Sequence, residues 1–72
     1  MNLVAKFTGE AARKEAAGKP PFGAGFSAEV VAKTETLEVH GSEISDSGPD
    51  YCEFRAFDAK GTLIATKRVN GY

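Results

Sequence analysis

The sequence predicts an α+β fold: a small, mostly antiparallel β-sheet of about four or five strands with one short helix after the first strand. Three observations carry that expectation. Residues 2–8 alternate in polarity, residues 10–17 are a run of helix formers closed by a glycine, and residues 51–69 read as a β-hairpin. With 72 residues the chain makes one small domain spanning 1–72, whose core is modest and whose margin of stability is narrow.

In the first segment Leu3, Ala5 and Phe7 alternate with Asn2, Val4, Lys6 and Thr8, which fits a strand. Thr8 or Gly9 then opens the stretch Glu10 to Ala17, with Gly18 expected as the left-handed residue that ends the helix. Its apolar side holds only alanines, so it lies close to a sheet and buries little area. The segment KPPFGAG, residues 19–25, is a loop. Pro20 and Pro21 remove two backbone donors, and Gly23 and Gly25 allow conformations that other residues avoid. It lacks the spacing of a phosphate-binding glycine loop. Phe22 and Phe26 flank the glycines and either plug the edge of the core or are displayed to a partner.

Residues 26–40 are β-branched and alternating enough to predict strand, either one bent strand or a hairpin turning near Thr34 and Glu35, although Ser27 could open a helix. GSEISDSGPD, residues 41–50, is loop by composition.

The hairpin follows as YCEFRAFD, DAKG and TLIATKRV. Asp58 to Gly61 suits a type I turn with Gly61 left-handed. This turn predicts that Phe57 faces Leu63, Arg55 faces Ala65, Glu53 faces Lys67 and Tyr51 faces Val69. Ala56/Ile64, Phe54/Thr66 and Cys52/Arg68 then share the other side. Cys52, Phe54, Ala56 and Ile64 are the expected core.

The net charge is −1, but its distribution is uneven. Residues 29–50 hold six acidic residues against Lys33, while the segments on either side are each basic by two. An acidic middle suits a larger protein or complex with a basic surface, and direct nucleic-acid binding lacks a basic footprint. The single Cys52 forms no internal disulfide and reads as a buried, reduced thiol, compatible with the cytoplasm. No apolar run approaches the roughly 20 residues of a membrane span. His40 is the only histidine, so no zinc pattern exists, and the acidic residues lack calcium-loop spacing. No catalytic residues, metal or cofactor are expected, and the chain is read as a non-enzyme.

The expected function is a protein-binding module that regulates or inhibits a larger machine. The partner-binding residues are Glu35, Glu38, Glu43, Phe22, Phe26, Tyr51 and Phe57. In smallness, in lacking a catalytic signature and in its acidic middle, the chain resembles the compact accessory proteins that bacteriophages encode to retune host RNA polymerase or CRISPR effectors. Two alternatives stand beside this reading. One is a sheet that binds nucleic acid through Arg55, Lys60, Lys67 and Arg68, with Tyr51, Phe54 or Phe57 stacking. The other is a structural subunit that self-associates.

Overall fold

The computed structural model describes residues 2–19, 23–41 and 51–70. Its elements run β1 (Asn2–Thr8), α1 (Gly9–Ala17), α2 (Ala28–Lys33), β2 (Thr36–Gly41), β3 (Tyr51–Phe57) and β4 (Leu63–Asn70). The four strands form one antiparallel sheet in the order β1-β2-β3-β4. The fold is therefore α+β, with two short helices rather than one. Both helices connect β1 to β2; α1 packs on one face of the sheet and α2 packs beside α1. Ala12 and Ala16 of α1 bury against Leu37, Val39, Cys52, Phe54, Ala56 and Val69, while Val30 and Val31 of α2 close the side. Because α1 offers only alanines, its backbone comes close to the sheet, as its composition predicts.

Residues 26–33 are not strand. Ser27 caps α2, its hydroxyl accepting from the Val30 amide at 3.4 Å, and Thr34 ends the helix by donating to the Val30 carbonyl at 2.8 Å. The helix wins over the β-branched composition because Val30 and Val31 gain the core beside α1. The extended part starts only at Thr36.

Gly18 is also not left-handed: its φ is −61°. The carbonyls at the end of α1 are satisfied instead by the returning chain. Ala24 N donates to Glu15 O at 3.2 Å, Phe26 N to Ala16 O at 2.9 Å and Gly25 N to Gly18 O at 2.8 Å. Gly18 and Gly23 are thereby in backbone contact.

The hairpin turn forms as expected. Gly61 has φ +82°, Asp58 N donates to Thr62 O at 3.0 Å, and the Asp58 carboxylate accepts from the amides of Lys60 and Thr62 at 2.9 and 3.0 Å. Phe57 faces Leu63, but the pairing then shifts at a bulge: Ala56 faces Ala65, Arg55 Thr66, Phe54 Lys67, Glu53 Arg68, Cys52 Val69 and Tyr51 Asn70. The register set by the turn alone would have put Arg68 beside Cys52 on the core side. The bulge at Ile64 exchanges these places, burying Val69 and returning Arg68 to the face of Glu53. A second irregularity, between Leu3 and Ala5, puts Leu3 opposite His40 and separates it from Ala5 and Phe7, which pack on the core.

Cys52 is buried, and desolvation pushes its thiol pKa up. The unfolded thiol ionises in its ordinary range while the folded one resists. Cys52 therefore favours the folded state fully below that range, and its contribution is lost as pH rises toward the raised folded value. Urea midpoints of the wild type should fall on going from about pH 7 to about pH 10 by more than those of Cys52→Ala. Equal slopes for the two proteins would remove this role.

Candidate functional site

The sheet face opposite the helices is built by register. One row across it is Leu3, His40, Glu53 and Arg68; the next is Lys6, Glu38, Arg55 and Thr66; the third is Thr8, Thr36, Phe57 and Leu63. None of these twelve residues is buried, whereas their neighbours Leu37, Val39, Cys52, Phe54 and Ala56 are. The face is uncovered among the described residues.

Its charges are arranged in pairs. His40 Nε2 lies 2.8 Å from Glu38 Oε1, and Arg55 Nε donates to Glu53 Oε1 at 2.6 Å. Arg68 Nη2 approaches the other Glu53 oxygen at 4.0 Å. These contacts join residues two apart on one strand or directly across two strands, so the pleat itself creates them. At the turn end the lattice gives way to an apolar pair, Phe57 beside Leu63, with Leu63 49% exposed. Leu3, 54% exposed, stands at the diagonally opposite corner.

The expected partner-binding residues separate in space. Glu38 and Phe57 share the uncovered face. Glu35 lies against the helix layer, where Arg13 Nη1 reaches its carboxylate at 3.4 Å and its amide donates to Phe57 O at 2.8 Å. Phe26 is half-buried and packs against the core on the helix side. Tyr51 pairs with Asn70 through the backbone, its side chain lying outside the described residues, as do Glu43 and Phe22 entirely. Glu29, Glu35 and Glu38 each have a basic or imidazole neighbour, at Lys33, Arg13 and His40. The acidic middle is thus partly neutralised where it is described.

The sequence pairs Leu63 with Phe57 but gives no reason to count it among the partner-binding residues, and it does not show the interleaving of β2 with β3. The signal was present in the polar alternation Thr36, Glu38, His40 beside Glu53, Arg55, Phe57. It became legible only once residues 36–41 were a strand of their own.

For nucleic acid, Lys6, Arg55 and Arg68 are interrupted by Glu38 and Glu53, while Lys67 falls on the other side opposite Phe54, so no basic stripe forms on this face. Among the described residues no group of three or more His, Cys, Asp or Glu could hold a metal ion, and no helix is long and apolar enough to cross a membrane. No protein-family model matches this chain, and neither a curated protein nor a solved structure does.

Proposed function

We propose that the chain is a non-enzymatic protein-binding module that regulates or inhibits a larger protein machine by docking the uncovered sheet face. The observation that supports this is the apolar pair Phe57 and Leu63 at the edge of a charged lattice, left open while the opposite face is covered by α1. An exposed apolar spot rimmed by polar groups suits a contact with a larger protein. The partner carries an apolar recess for Leu63 and basic groups toward Glu38. In size and in lacking a catalytic signature, the chain suits a cytoplasmic regulator of a host RNA polymerase or a CRISPR effector.

Reversing Glu38 would disturb the sheet as well as the docking, because Lys6 and Arg55 flank it. Leu63→Lys is the cleaner probe, since its side chain is half exposed. Tagged protein incubated with a nuclease-treated bacterial lysate is expected to retain a stoichiometric partner, identified by mass spectrometry, and Leu63→Lys to lose it by at least about tenfold, as for an interface anchor. Equal retention by the folded variant, or recovery only before nuclease treatment, would refute the proposal.

A further inference from the structure

The uncovered face is self-complementary in charge, and we infer that it is also the contact surface of a homodimer. Two sheets packed face to face keep their strands within about 30° of alignment at a separation near 10 Å. A two-fold axis parallel to the strands and between β2 and β3 exchanges those two strands across the interface. The register then sets Glu38 of one copy over Arg55 of the other, and His40 over Glu53, each twice by symmetry. Thr36 meets Phe57, Thr8 meets Leu63, and Lys6 meets Thr66. No like charges oppose one another in this arrangement.

The alternative axis, across the strands, fails on the same grid. It would stack Lys6 on Lys6, Glu38 on Glu38 and Arg55 on Arg55, three repulsive contacts at the centre of the interface. The in-strand pairs Glu38/His40 at 2.8 Å and Glu53/Arg55 at 2.6 Å already alternate carboxylates with nitrogen groups along the face, and the second copy extends that lattice.

Four strands at about 4.8 Å spacing and roughly 20 Å length cover about 400 Å² per copy, near half the ~800 Å² a partner contributes to a standard interface. The dimer is therefore weak and depends on concentration. It occupies the surface assigned above to a partner, so dimer and complex exclude each other. The dimer requires no partner, however, and is tested on the pure chain.

Sedimentation of the wild-type chain should show the average mass rising from 7.6 kDa toward twice that value as concentration increases to about the millimolar range. Glu38→Arg alone sets arginine over Arg55, and Arg55→Glu alone sets glutamate over Glu38. Each variant should lose at least about tenfold in self-association, and an equimolar mixture should recover it, because residue 38 of each chain then again faces a residue of opposite sign at position 55 of the other. The mixture cannot repair a defect internal to either chain. Should one variant fail to fold by circular dichroism, amide shifts of the wild type on dilution decide. Movement at Glu38, His40, Glu53 and Arg55 with Ala12 and Ala16 unmoved supports the dimer. A wild-type chain that is monomeric throughout, a mixture without recovery, or shifts confined to the helices overturns it.

Discussion

Gly23→Ala is expected to lower the melting temperature by roughly 10 °C or more, or to prevent folding altogether, as followed by far-ultraviolet circular dichroism. A β-carbon at this position would lie 2.5 Å from Gly18 Cα and 2.6 Å from its carbonyl carbon and oxygen. These are backbone atoms and cannot rotate away. Relief requires moving the returning chain off the end of α1, at the expense of the bonds from Ala24, Gly25 and Phe26 to Glu15, Gly18 and Ala16. Overpacking costs about 1–3 kcal/mol or more even where side chains can give, and here none is involved. Gly9→Ala provides the comparison. Gly9 has φ +60° with open space around its β position, so alanine there costs about 1–2 kcal/mol through backbone conformation alone. If Gly23→Ala proves no worse than Gly9→Ala, the close contact between residues 18 and 23 does not govern stability.

Leu37→Ala should be among the most damaging simple truncations in the sheet. Leu37 is fully buried, stands between Phe7 and Ala56 in the register, and faces the alanines of α1. Removing its side chain leaves a cavity that alanine neighbours cannot fill, a loss of about 2–5 kcal/mol. A core of this size rarely supplies more than about 3–5 kcal/mol in total. The variant is therefore expected to be largely unfolded at 25 °C. A urea midpoint corresponding to a loss below about 1 kcal/mol would show that Leu37 is not the keystone of the core.

Legibility followed the range of the interactions. The Asp58 to Gly61 turn is closed by hydrogen bonds within five residues, and the turn residues declared it. The alternation of β3 placed Cys52, Phe54 and Ala56 in the core, where they are. The helix α1 was marked by its composition and by Gly9 and Gly18 at its ends, although Gly18 acts by closeness to Gly23 rather than by left-handed backbone. Residues 28–33 misled because their valines locally favour strand over helix. The choice rested on the Ser27 cap and on the space beside α1.

The candidate site was legible only in part. Glu38 and Phe57 were named from polarity and exposure, and they do share a face, whereas Glu35 and Phe26 belong to the helix side. Grouping them needed the pairing of β2 with β3, which joins residues far apart in sequence.

The amino-acid sequence by itself determined the α+β class, the first strand and helix, the hairpin turn and the buried face of β3, since each follows from local conformation and period-two polarity. Tertiary structure alone decided the second helix, the two bulges, the contact of Gly18 with Gly23 and the charge lattice of the uncovered face. The physical reason is visible at Ile64. The turn favoured one register for its own hydrogen bonds, but that register would bury Arg68 and expose Val69. One extra residue in β4 reconciles the turn with the core, and only the packed sheet exerts the desolvation cost that selects it.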